Sequence, residues 1–154
     1  MASKVRQGYR ALRRGRYSRA GGIYFITTVI AGRIPWFAQF ELARHMCRKL
    51  HEPAALADAA NLCWVVMPDH VHLLLQLREA PLANVLNTLK SKSAIELNRE
   101  IGREGRFWEP GFHDHALRKE EDLLGIARYI VANPLRAGLV RRLGDYPYWN
   151  AVWL

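Results

Sequence analysis

Asn61-Leu62-Cys63-Trp64-Val65-Val66-Met67-Pro68-Asp69-His70-Val71-His72-Leu73-Leu74-Leu75-Gln76-Leu77 is the stretch whose reading decides the fold. It reads as two apolar strands separated by a turn at Met67-Pro68-Asp69, an antiparallel hairpin if the turn is short. Side chains alternate across a strand, so His70 and His72 share one face, roughly 6.6 Å apart along it, while Val71 points into the core. Two imidazoles on one face at a strand end form half of a metal site. The bland alternative is a pair of ordinary surface or core histidines.

Upstream of the hairpin, Ile23 to Ile30 is β-branched and aromatic and reads as a first strand. Phe37, Phe40, Leu42, Ala43, Met46, Cys47 and Leu50 recur at near-helical spacing, which predicts a helix over 36–51, closed by Glu52-Pro53. Downstream, Pro81 suits the first turn of a second helix whose apolar side carries Leu82, Val85, Leu86, Leu89, Ile95 and Leu97. Lys90 and Lys92 fall on its polar side, either as a solvated face or as part of a nucleic-acid surface. Residues 112–117 read as a further strand holding a second His-x-His, His113 and His115 around Asp114. These two also share a face, and spacing does not rank the two pairs. They are a rival metal site, a supporting group beside it, or a polar edge. The last helix begins at the acidic run 120–122 and ends at Asn133-Pro134, because the residue before proline is pushed out of the helical region. If the helix persists that far, Tyr129 and Asn133 lie on one face, about 6 Å apart.

The global balance limits the function classes. The chain has 154 residues, is 50% hydrophobic and carries a net charge of +9; the isoelectric point is near 10.1. One domain with its own core is expected. No apolar run reaches the roughly 20 residues of a membrane span, so no membrane partner is expected. The cysteines Cys47 and Cys63 suit no disulfide framework and fit buried thiols in a reducing cytoplasm. The charge points to a polyanionic partner, nucleic acid before membrane. It is concentrated in the first 20 residues, which carry Lys4, Arg6, Arg10, Arg13, Arg14, Arg16 and Arg19 with Tyr9 and Tyr17 interleaved, and no acid. That composition suits an arm that meets phosphates through arginine and stacks bases on tyrosine.

Met67-Pro68-Asp69-His70-Val71-His72-Leu73-Leu74-Leu75 resembles the HUH motif of single-tyrosine transposases. Tyr129-Ile130-Val131-Ala132-Asn133-Pro134-Leu135-Arg136-Ala137-Gly138-Leu139-Val140 resembles that superfamily's tyrosine helix. Specifically, the chain resembles the REP-associated tyrosine transposase branch, with further similarity at Tyr24–Thr27 and from Phe107 to Arg118. The resemblance implies an α+β, ferredoxin-like fold: a four-stranded antiparallel sheet with helices packed on one face. With the basic composition of the start and the aromatic composition of the end, the chain divides into a basic arm (1–22), a catalytic domain (23–145) and an aromatic C-terminal tail (146–154), the arm and tail lying outside the resemblance. The resemblance implies Tyr129 as nucleophile and His70, His72 and Asn133 as ligands of Mg²⁺ or Mn²⁺. The implied reaction is cleavage and rejoining of single-stranded DNA through a 5′-phosphotyrosine bond. The implied partner is DNA with hairpins from repeated extragenic palindromes, read in part by Arg6, Arg10, Arg13, Arg14, Arg16, Tyr17, Arg19, Lys90 and Lys92. A monomer is favoured over a dimer, in a prokaryotic cytoplasm beside the nucleoid. A non-catalytic nucleic-acid-binding module and a water-using, metal-dependent nuclease are the alternatives.

Overall fold

The computed structural model describes residues 20–118 and 122–153. The arm residues Arg6, Arg10, Arg13, Arg14, Arg16, Tyr17 and Arg19 therefore lie outside the described residues. Five strands form one antiparallel sheet: β1 (Ile23–Val29), β2 (Ala60–Val66), β3 (His70–Gln76), β4 (His113–Ala116) and β5 (Trp149–Ala151). Their order across the sheet is β4-β1-β3-β2-β5. The helices are α1 (Phe40–His51), α2 (Leu82–Ile101), α3 (Leu123–Val131) and a short α4 (Asn133–Arg136). Helix α1 starts later than its periodicity predicts, because Trp36–Ala38 forms a separate 3₁₀ turn.

The hairpin organises the rest. Val66 pairs with Val71, and the Met67 N–H donates to the His70 carbonyl at 2.8 Å to close the turn. The turn is held from outside by the Ile30 N–H on the Asp69 carbonyl (2.9 Å) and the Phe37 N–H on the Pro68 carbonyl (3.0 Å). The end of β1 is thereby fixed against the start of β3, where the histidines stand. Strand β1 pairs with β3 through Thr27↔His72 and Val29↔His70, and with β4 through Phe25↔His115 and Thr27↔His113.

The pleat divides the core in two. Tyr24, Ile26, Trp64, Val66, Val71, Leu73 and Leu75 face one side, where they pack with Leu42, Ala43, Met46 and Leu50 of α1 and Leu82, Val85, Leu86 and Leu89 of α2. Cys63, Val65 and Leu74 face the other side and are covered by Ala127, Ile130 and Val131 of α3, with Tyr146 and Ala151. Helices thus flank both faces of the sheet, which corrects the one-sided arrangement. The reason is visible in β2, where Cys63-Trp64-Val65-Val66 is buried on both faces. A strand apolar on both faces needs a cover on each.

The sheet also has five strands rather than four. Residues 149–151 pair with β2 through Cys63↔Ala151, Trp64↔Asn150 and Val65↔Trp149. The aromatic tail is therefore part of the sheet. The buried Tyr146 hydroxyl donates to the Val66 carbonyl, and the Val66 N–H donates to Tyr148 O at 2.8 Å.

Helix α3 ends at Val131, two residues before Asn133. Pro134 has no N–H for the carbonyl four residues back, that of Ile130. The Asn133 side chain supplies the missing donor, its Nδ2 lying 3.1 Å from Ile130 O. Ala132 (φ −80°, ψ −2°) joins the two segments, and α4 restarts at Asn133. The single continuous helix carrying both Tyr129 and Asn133 is thus replaced by two pieces.

Candidate active site

The histidines opening β3 point to the α3 side of the sheet, and their rings meet edge to face with centroids 4.7 Å apart. Their Nε2 atoms are 3.2 Å apart. Each Nδ1 is anchored on its own partner: His70 on Asp69 Oδ1 at 2.7 Å, and His72 on Thr27 Oγ1 at 2.8 Å. Asp69 is in turn paired with Arg33 at 3.2 Å. Burial would raise the Asp69 carboxyl, but the hydrogen bonds and charges of His70 and Arg33 outweigh it and hold the group below its ordinary value. A carboxylate can only accept, so His70 carries its proton on Nδ1 and, when neutral, presents a lone pair at Nε2.

His72 is the more enclosed ring, with the Phe25 ring edge-on to it at 5.5 Å. Burial, then the neighbouring His70, then the Arg136 cation bring its pKa down to about 4. At neutral pH it is an uncharged imidazole, the form that ligates metals.

The donor set fits a divalent ion. Two ligand nitrogens about 2.1 Å from a common ion would stand about 3.0 Å apart at right angles and about 3.4 Å apart at the tetrahedral angle. The observed 3.2 Å lies between these values. Nδ1 anchors of this kind fix the ring orientation of metal-binding histidines. Among the described residues no cluster of three histidine, cysteine or acidic side chains is assembled for a metal. Among the described residues a third protein ligand would have to be an amide, a hydroxyl or a backbone carbonyl, and Asn133 in α4 is the amide singled out by sequence. Its Nδ2 is engaged with Ile130, which leaves Oδ1 as the ligating atom.

Tyr129 lies on the outer side of α3 and is 57% exposed. It lines a cleft of about 410 Å³ with Phe25, His115, Asp122, Gly125 and Ile126. Phe25 is the shared wall: one edge meets His72 and the other residues of the cleft include Tyr129. The guanidinium of Arg136 covers the Tyr129 ring at 3.8 Å, and its Nη2 donates to the Tyr129 carbonyl at 2.7 Å. Arg136 thus spans α3 and α4, and its charge reaches His72.

The second His-x-His stands on the same face of the sheet. His113 and His72 both pair with Thr27, from opposite sides, so two strand spacings, about 10 Å, separate them. His115 enters the Tyr129 cleft. Lys90 and Lys92 lie on α2, which packs against the opposite face. The Lys90 ammonium donates to the carbonyls of Glu109 (2.7 Å) and Gly111, and that of Lys92 donates to Ala54 O at 3.2 Å. A larger cleft of about 610 Å³, lined by His51, Trp64, Arg78 and Asn150 among others, shares no residue with the site.

Residues 22–133, from the start of β1 through both histidine pairs and Tyr129 to Asn133, match the family of IS200-like transposases. The chain belongs to that family. This IS200-like chain is 31% identical over 145 residues to a Haemophilus influenzae relative that carries the REP-associated tyrosine transposase name, covering 83% of this chain and 78% of the relative. It is 27% identical over 135 residues to the REP-associated tyrosine transposase of Escherichia coli K12, covering 86% and 78%. Among solved structures it is similar to a REP-associated tyrosine transposase bound to a REP hairpin, with a TM-score of 0.67 and 25% identity over 87% of this chain and 79% of that one. Three site residues escape the sequence reading of this IS200-like transposase: Thr27, Asp69 as a ring anchor, and Arg136. Asp69 sits beside His70 and carries a readable signal, whereas Thr27 is brought in by strand pairing.

Proposed function

We propose that this chain cuts and rejoins single-stranded DNA beside hairpins of the repeated palindrome type, through a covalent bond to Tyr129. The observation that carries the reading is the common wall of the site: Phe25 meets His72 and also lines the cleft that holds Tyr129. The family match and the hairpin-bound relative support the choice of substrate.

His70 and His72 would hold Mg²⁺ or Mn²⁺ through Nε2, with Asn133 contributing its amide oxygen. When bound, the ion supplies Lewis-acid polarisation of the scissile phosphate and stabilises charge on the departing 3′ oxygen. The chain's own part is to hold the phosphate between the Tyr129 hydroxyl and the imidazoles. Tyr129 Oη attacks phosphorus, the P–O3′ bond breaks, and a 5′-phosphotyrosine diester and a 3′-hydroxyl result. The phenol proton goes to a group in the same cleft, whose titratable walls are His115 and Asp122. A diester to tyrosine conserves the energy of the phosphodiester bond, so a strand can be rejoined without ATP, which attack by water would prevent.

A labelled hairpin oligonucleotide with Mn²⁺, run on a denaturing gel, tests the reading. The expected product is a protein–DNA adduct that is absent in Tyr129→Phe and in His70→Ala, the latter also losing site-specific Mn²⁺ binding. Cleavage that survives Tyr129→Phe would instead establish a water-using nuclease, and binding without cleavage a non-catalytic module. Metal binding lost only in His113→Ala or His115→Ala would move the ion to β4.

A further inference from the structure

Arg136 has no part in the scheme above, yet its placement is specific. Its guanidinium lies 3.8 Å over the ring of Tyr129 and is tied to that residue's carbonyl at 2.7 Å. Among the described residues no carboxylate pairs with it. A guanidinium stacked by its face keeps the remaining N–H groups at its edge, directed outward in a planar fork that matches two phosphate oxygens. Two anchors hold that fork before any ligand arrives, which is the condition for a charge to act without reorganising.

We propose that Arg136 grips the non-bridging oxygens of the scissile phosphate beside the Tyr129 phenol. The inference rests on the strand-transfer reading above. It assigns the cation a place beside the nucleophile, where its two contacts with Tyr129 hold it. A phosphodiester carries one negative charge. Addition of the phenolate brings the five-coordinate transition state close to two, and loss of the 3′ oxygen returns the new diester to one. As the P–Oη bond forms and the P–O3′ bond breaks, the 3′ oxygen leaves with the electron pair and takes a proton from solvent. Arg136 keeps all its protons throughout, because a guanidinium does not titrate in this range. It acts by charge alone.

The test compares two hairpin oligonucleotides with Mn²⁺ under single-turnover conditions, one with the natural scissile linkage and one with a neutral methylphosphonate there. Arg136→Gln keeps an N–H donor for the Tyr129 carbonyl and removes the charge. It should slow adduct formation on the natural linkage by about 10²-fold or more, the scale of a lost oxyanion-stabilising group. On the neutral linkage it should differ from wild type by less than about threefold. Arg136→Lys, which retains charge but not the fork, should recover part of the rate on the natural linkage. Equal losses on both linkages would make Arg136 a structural strut and overturn the proposal. Wild-type rates in Arg136→Gln would overturn it while leaving Tyr129 as nucleophile. A wild type that forms no adduct would overturn both readings together.

Discussion

Thr27 Oγ1 lies 2.8 Å from His72 Nδ1, across the pairing of β1 and β3. A threonine hydroxyl can donate or accept, whereas the Asp69 carboxylate beneath His70 can only accept. With His70 neutral and its proton on Nδ1, the 3.2 Å contact between the Nε2 atoms takes its proton from His72, and Thr27 donates to His72 Nδ1. An ion between the two nitrogens requires the other tautomer, with Thr27 accepting. The hydroxyl serves both states by turning about one bond. Thr27→Val should therefore lower Mn²⁺ affinity about 10-fold in calorimetric titration, and Asp69→Ala by about 10–100-fold. Thr27→Ser should bind like wild type.

The low pKa of His72 makes the metal-free protein acid-sensitive in a definite window. In the unfolded chain the ring takes up a proton near pH 6.5, and in the folded chain only near pH 4. The unfolded state therefore gains protons first as pH falls. The stability linked to this group is complete above about pH 6.5, declines between about 6.5 and 4, and is flat below, a loss of about 3 kcal/mol. Urea unfolding of the metal-free protein at pH 7 and pH 4.5 measures it, with His72→Gln as the control in which this component is missing. Proton NMR of the ring should find half-protonation near pH 4.

Asn133 carries two separable duties. Its Nδ2 fills the donor position that Pro134 leaves open at Ile130 O, and its Oδ1 is the proposed ligand. Asn133→Asp should retain Mn²⁺ binding yet lose about 1 kcal/mol in urea unfolding, because the Ile130 carbonyl loses its partner. Asn133→Ala should lose both the ion and the stability.

The arm gives a salt-dependent prediction. Deleting residues 1–19 removes seven basic side chains and no acid. Hairpin binding should weaken, and the slope of log affinity against log salt should become shallower by about 0.7 for each phosphate that the arm would have neutralised. An unchanged affinity with an unchanged slope would remove the arm from the interface.

The hairpin, the pleat that puts His70 and His72 on one face, and helices α1 and α2 were legible because each is long and periodic enough to declare its buried side. Strand β5 was not. Three residues give no alternation, and the preceding Tyr146-Pro147-Tyr148 reads equally well as a loop. Nor does a sequence say which face of a sheet a helix covers. The burial of Cys63 and Val65 opposite Trp64 and Val66 held the clue, but an unbroken apolar run looks the same whether its second face meets a helix or a partner protein. The break at Ala132 was half visible: Pro134 foretold an end, and the restart depends on a side chain replacing a missing N–H. Arg136 carries no local signal at all, since a basic residue at a helix end ordinarily answers the macrodipole. Its contact with the Tyr129 ring emerges only in the folded chain, where it reaches from α4 to α3 across the break at Ala132.

Helix α3 rests on the sheet through Ala127, Ile130 and Val131 against Cys63, Val65 and Leu74. The proposed nucleophile and the imidazoles thus belong to two bodies joined by a greasy seam, and on the strand-transfer reading the seam's fit sets the alignment of the reacting atoms. Trimming Ile130, which is fully buried in that seam, would empty space between those bodies at a cost of about 1 kcal/mol for valine and about 2–5 for alanine. Strand-transfer rate should then respond to hydrophobic packing as sharply as to any polar change at the site, so that drift of this transposase's core is also drift of its chemistry.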